Sequence, residues 1–133
     1  MIVTSVKHDF GSPTTLHELL QGALTGVSAT GVGPVLSSLA PITFNLWITG
    51  TSGTITATVK IWGSNDLSCL TSQTNCSKIL LGQSTALTGT GTGDGVPNAS
   101  DALYVTANYL HYWAEVSAIS GTGTKVFCNV VSS

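Results

Sequence analysis

Arginine is absent from this chain of 133 residues, and the other charges are few. Charged residues make up 8% of it, against roughly 25% in an ordinary soluble domain. The only cations besides histidine are Lys7, Lys60, Lys78 and Lys125, and the formal net charge is −2. Nucleic-acid binding relies on clustered cations that neutralise phosphates, so four scattered lysines argue against a nucleic-acid partner. An anionic membrane surface is disfavoured for the same reason. Long hydrophobic runs are missing as well. Nothing charged lies between Glu18 and Lys60, yet Gly, Thr, Ser and Pro34 interrupt that stretch before ~18 apolar residues accumulate, so no membrane span is expected. The opening MIVTSVKHDFGSP lacks a charged start followed by an apolar core, and no cleaved leader is expected.

Chemistry-bearing patterns are equally sparse. There is no Cys-x-x-Cys and no histidine at ligand spacing from a cysteine, which argues against structural zinc. Asp66 has no second carboxylate nearby, so a calcium or magnesium site would be short of ligands. With six carboxylates in the chain and histidines at positions 8, 17 and 111, a catalytic triad would need distant residues, and no nucleophile-elbow pattern appears. The glycines at 89, 91, 93 and 95 run into Asp94-Gly95-Val96-Pro97, a turn, whereas a phosphate cradle needs a helix there. Catalytic, cofactor-binding and metal-binding residues are therefore expected to be none, no cofactor is expected, and the chain reads as non-enzymatic.

What is present is alternation with period two. In ITFNLWITG, Ile42, Phe44, Leu46 and Ile48 oppose Thr43, Asn45, Trp47 and Thr49. In TITATVKIW, Ile55, Ala57, Val59 and Ile61 oppose Thr54, Thr56, Thr58, Lys60 and Trp62. Such alternation marks half-buried strands. The intervening GTSGT reads as a short loop, so 42–62 is expected to be a β-hairpin. LHYWAEVSAIS, the loop SGTGT and KVFCNVV give a second expected hairpin over 109–131. Shorter strands are expected at 2–6, around Leu19–Leu24, at Lys78–Gln83 and at Leu103–Ala107. Residues 64–77 and 88–100 read as loops. Only LHELLQGAL hints at a helix. The sum is an all-β, antiparallel β-sandwich of about seven or eight strands, with residues 1–15 as an N-terminal arm and 16–133 as one domain.

Three tryptophans, Trp47, Trp62 and Trp113, all fall on the strand face opposite the aliphatic one. They fit either contact with a partner or subunit, or stacking on sugar rings. His111 shares that polar face and reads as a solvated or hydrogen-bonded histidine. Gly63-Ser64-Asn65-Asp66 is turn chemistry, in which Asn and Asp bond back to their own backbone. Cys69 and Cys76 bracket the following loop, either as two free thiols or as a disulfide. Cys128 alternates with Val126 and Val130 and reads as a small buried apolar residue. A surface so poor in charge also suits a subunit whose faces are covered by partners.

Over roughly 19–131 the chain resembles a known family. The resemblance rests on Gly31-Val32-Gly33, on ITFNLWITGTSGTITATVKIWGSND, on the Gly/Thr-rich loop, and on YVTANYLHYWAEVSAISGTGTKVFCNVV. This order is similar to small virion structural proteins of tailed bacteriophages, especially head decoration or cement proteins, in which an ATVxIxGSND strand end and a final hairpin built on SGTG recur. The resemblance implies a jelly-roll-like β-sandwich on the outer capsid surface of the virion, made in the host cytoplasm. It also implies partners: the major capsid protein and copies of the chain itself, as dimers or trimers that reinforce the joints between capsomers. Candidate contact residues are Ile2, Val3 and Val6 in the arm and the three tryptophans. The Cys69–Cys76 loop, and Tyr112-Trp113 where relatives often carry arginine, are departures from the family pattern. The alternative reading is a carbohydrate-binding β-sandwich on a phage tail or fibre.

Overall fold

The computed structural model describes residues 18–37, 41–93 and 95–132. The expected arm, with Ile2, Val3, Val6 and the strand at 2–6, lies outside the described residues. Eight strands form among those described: β1 (Glu18–Val27), β2 (Gly31–Val32), β3 (Ile42–Ser64), β4 (Ile79–Gln83), β5 (Leu87–Gly93), β6 (Ala99–Val105), β7 (His111–Thr122) and β8 (Lys125–Ser132). Every strand pairing is antiparallel.

The architecture turns on β3, a strand of 23 residues. Its first limb, 42–49, pairs with β8 on one side and β6 on the other. Its second limb, beyond Gly50, pairs with β7 on one side and with β5 and β4 on the other. With β1 added beside β8 and β2 beside β7, two sheets result. Sheet A runs β1-β8-β3-β6, and sheet B runs β2-β7-β3-β5/β4. Strands far apart in the chain are thus neighbours: first with last, second with next to last. That is the order of an antiparallel ribbon wrapped on itself, a jelly-roll-like sandwich.

Four readings fail here. Residues 42–62 are not a hairpin, because GTSGT does not reverse the chain. Gly50 and Gly53 find partners in Gly93 and Gly91 of β5, and Ser52 pairs with Thr122 of β7, so the strand continues and bends. The register shifts at this point against both neighbours, and the inward set changes from even positions (Ile42 to Ile48) to odd ones (Ile55 to Ile61). A bulge does this, and bulged bends are how a strand leaves one sheet for another. Residues 109–131 are not a hairpin either. β7 and β8 do not pair with each other; they lie end to end along β3, in sheets B and A respectively. Thr88–Ser100, expected as a loop from its glycines, contains β5, which hydrogen bonding to β3 draws into the sheet. The helix hinted at by LHELLQGAL is overridden in the same way, since Glu18–Val27 is a strand paired with β8.

The alternation itself is borne out. Ile42, Phe44, Leu46, Ile48, Ile55, Ala57, Val59 and Ile61 are buried with Tyr112, Ala114, Val116, Val126, Cys128 and Val130 in one core between the sheets. Phe44 of sheet A meets Tyr112 of sheet B with ring centroids 6.5 Å apart. Each such large side chain contributes roughly 1.5–3 kcal/mol by leaving water.

Candidate functional site

The outer face of sheet B carries Lys60, Trp62 and Ser64 from β3, directly opposite Glu115, Trp113 and His111 from β7. The segment between β3 and β4 folds back over it. Asp66 starts a 3₁₀ turn, Leu67–Leu70, by accepting the Ser68 N–H. Its second carboxylate oxygen accepts the Ser77 N–H at 2.9 Å. Ser64 Oγ donates to the Ser77 carbonyl and accepts the Asp66 N–H. Asn65 Oδ1 accepts the Leu110 N–H. Gly63-Ser64-Asn65-Asp66 is therefore turn chemistry, as its residue types predict, and it clamps both ends of the loop. The N–H groups of Ser77 and then Ser68 hold the Asp66 carboxyl below the usual carboxylate range. A disulfide joins Cys69 to Cys76, closing the choice the sequence left open.

Gln73, inside the bridged loop, donates from Nε2 to the Gly33 carbonyl at 3.0 Å. Gly33 lies just past β2, on the far side of β7, so the loop crosses over β7. This explains a second set of buried residues: Ser64, Cys69, His111 and Trp113 are all withdrawn from solvent although they sit outside the main core. His111 is thus a correction to the expected solvated or hydrogen-bonded histidine. It is 6% exposed, and neither ring nitrogen has a hydrogen-bond partner. The Trp113 indole N–H is likewise unpartnered.

Trp62, at the edge of this cover, is half-buried. Its Nε1 donates to Glu115 Oε1 at 2.8 Å, and the Lys78 ammonium lies 5.0 Å from the ring centroid. Lys78 also donates to the Gln73 carbonyl. A pocket of about 360 Å³ at the loop base is lined by Ser64, Asn65, Asp66, Ser77, Lys78, Ile79 and Tyr109. Its two charged groups, Asp66 and Lys78, are both engaged in holding the loop. No group of three or more His, Cys, Asp or Glu side chains placed to hold a metal occurs among the described residues.

Sheet A presents a different surface. The residues that alternate with its buried set point outward: Thr43, Asn45 and Trp47 on β3, Phe127 and Asn129 on β8, and Tyr104 on β6. Trp47 and Phe127 are register partners and stack face to face, with centroids 5.2 Å apart and planes 3° from parallel. Asn45 lies opposite Asn129, and Tyr104 is 66% exposed. Trp47 has the small, exposed Ser100 as its partner on the other side. None of these six side chains is charged; Lys125, which alternates with the buried set at the start of β8, brings one charge to the same face.

The three candidate tryptophans therefore part company. All lie on outer faces, as their alternation predicts, but on different sheets. Trp47 is half-buried on sheet A, Trp62 is tied into a polar network on sheet B, and Trp113 is wholly covered. Sequence reasoning passed over Phe127 and Tyr104. Their signal was available in the alternation of KVFCNVV and ALYV; their meeting with Trp47 and Thr43 depends on register. Fold and surfaces together define a class: an all-β, jelly-roll-like domain with one sheet face capped by a disulfide-closed loop and the other an aromatic surface poor in charge. No family model matches the chain, and neither a curated protein nor a solved structure matches it.

Proposed function

We propose that this chain is a head decoration (cement) protein of a tailed bacteriophage, non-enzymatic, seated on the outer capsid surface and bound to the major capsid protein and to its own copies. The observation that carries the reading is the outer face of sheet A. A sheet face rich in aromatic rings, amides and hydroxyls, with little charge to desolvate beyond Lys125 at the end of β8, suits lasting contact with another protein. The likeness of Ala57–Asp66 to the ATVxIxGSND strand end supports it, as does the jelly-roll-like wrapping. Many modest contacts repeated over a lattice give large collective stability, so no single deep site is required.

The test is the copy number of the chain per major capsid protein in purified particles, by quantitative mass spectrometry. A ratio near a simple lattice fraction, meaning many copies, is expected. Absence from particles overturns the proposal.

A second reading, a carbohydrate-binding module on a tail or fibre, draws on Trp47. An indole flanked by a small serine and near two amides has the elements of a sugar platform. A low copy number together with quenching or enhancement of Trp47 fluorescence by sugars would favour it over the capsid surface.

A further inference from the structure

The loop that crosses β7 is held shut by little besides its bridge. Of residues 65–78 only Cys69 is buried, and Leu67 and Leu70 are exposed. Beneath the loop lie His111, with both ring nitrogens unpartnered, and the Trp113 indole N–H, also unpartnered. Buried polar groups without partners cost free energy that is recovered once water reaches them. Closure therefore rests on a few hydrogen bonds, among them Gln73 to Gly33, and on the Cys69–Cys76 disulfide.

The two sulfurs of that bridge are not equivalent. Cys69 is 0% exposed, whereas Cys76 is half-buried, so a nucleophile from solvent reaches Cys76 first. Lys78 favours the same sulfur. Its ammonium donates to the Gln73 carbonyl oxygen, and Cys76 Sγ lies 3.7 Å from that oxygen. A cation there draws in an anionic thiolate. Cys69 Sγ, for its part, lies 3.2 Å from Ser64 Oγ and 3.6 Å from the Ser77 carbonyl oxygen. Both oxygens are placed to accept from a newly formed Cys69 S–H.

We propose that Cys76 is a thiol-exchange site and that its bridge to Cys69 is a redox latch on the loop. The thiolate of a small thiol attacks Cys76 Sγ, the Cys69–Cys76 bond breaks, and a mixed disulfide forms on Cys76. The electron pair of the broken bond leaves with the Cys69 sulfur, which takes up a proton. A second thiolate attacks the small-thiol sulfur of the mixed disulfide, freeing Cys76, which is protonated in turn, and releasing the small disulfide. Two electrons and two protons have then passed from two small thiols to Cys69 and Cys76. The loop, no longer closed on itself, lifts from β7 and admits water to His111 and Trp113. A small disulfide as oxidant reverses each step. The latch does not depend on the capsid reading.

The test gives reduced glutathione to the full, folded chain, with acid quenching and peptide mass mapping at intervals. A transient glutathione adduct on Cys76 is expected, with Cys69 free. After full reduction, NMR is expected to show the Trp113 indole N–H exchanging with water about 100-fold faster, the equilibrium factor lost with closure of so short a loop. The Trp47 indole and the β3 and β8 amides are expected to keep their rates. Cys69→Ser opens the bridge without reductant and leaves Ser64 and Ser77 as partners for the new hydroxyl. It is expected to show the same fast exchange and to hold a stable adduct on Cys76 when given glutathione disulfide. An adduct on Cys69 of the wild-type chain, a bridge that yields only when the whole sandwich unfolds, a Cys76 that takes no adduct in the variant, or unchanged Trp113 exchange after reduction would each overturn the proposal.

Discussion

At Gly121 a Cβ atom would lie 2.7 Å from the Thr54 carbonyl oxygen and 2.8 Å from the Ile55 Cα, and φ is +110°. At Gly53, on the same corner, φ is +70° but nothing lies within 4 Å. The two glycines thus separate conformational strain from close approach. Gly53→Ala is expected to cost about 1–2 kcal/mol, the left-handed penalty alone. Gly121→Ala adds collision with backbone that cannot move aside, for a loss of about 3 kcal/mol or more. Urea denaturation of both variants checks this; equal losses would mean that crowding at the corner is not what demands glycine. The buried Tyr112 shows the opposite economy. Its hydroxyl donates to the Ala107 carbonyl and accepts the Tyr109 N–H, so a core side chain also pins the chain leading into β7.

At the scale of elements, the loop between β3 and β4 is the most separable part. Its own apolar side chains point largely outward, so it holds its place through the Asp66 and Ser64 clamps, the Gln73–Gly33 bond and the Cys69–Cys76 bridge. The bridged residues are seven positions apart, and closing so short a loop stabilises by about 2–3 kcal/mol in the chain-entropy picture. Reduction, or Cys76→Ser, is expected to lower stability by no more than that and to open Trp113 to an aqueous quencher while the sandwich stays folded. Unchanged quenching after reduction would show that the clamps alone keep the cover in place. Cys128 is the internal control. Burial in the core pushes its thiol far above the ordinary range, so it is expected to react with thiol reagents only when the sheets come apart.

For the molecule as a whole, the described strands begin at Glu18, and the described residues by themselves hold a core between the two sheets. Removing residues 1–12 is therefore expected to leave the thermal midpoint within about 2 °C while weakening attachment to the particle, as an arm that adds partner contacts would do. A binding assay of the folded truncation on stripped capsids checks it; undiminished attachment would assign the contact to the sheet faces alone.

Side-chain chemistry along the chain was enough to establish the strands of the core, most of the inward set on them, and the turn at Gly63–Asp66; Leu110 and Ala118, inward by the same alternation, are exposed, because Leu110 precedes β7 and the register shifts between Thr58 and Val59. Period-two alternation and local Asx bonding are properties of neighbours in sequence. The burial of Cys128 and the outward placement of the tryptophans followed from the same rule. Tertiary structure decided the rest. Whether Gly50–Thr54 reverses the chain or bends it depends on β5 and β7 lying on either side to take its hydrogen bonds. Likewise β5 is a strand because β3 is beside it, and its Gly/Thr composition alone reads as a loop. The stacking of Trp47 on Phe127 needs register between strands about 80 positions apart. The withdrawal of His111 and Trp113 needs a loop to cross β7, which Gln73 reaching Gly33 arranges. Alternation tells which way a side chain points, but only the packed chain determines what it meets there.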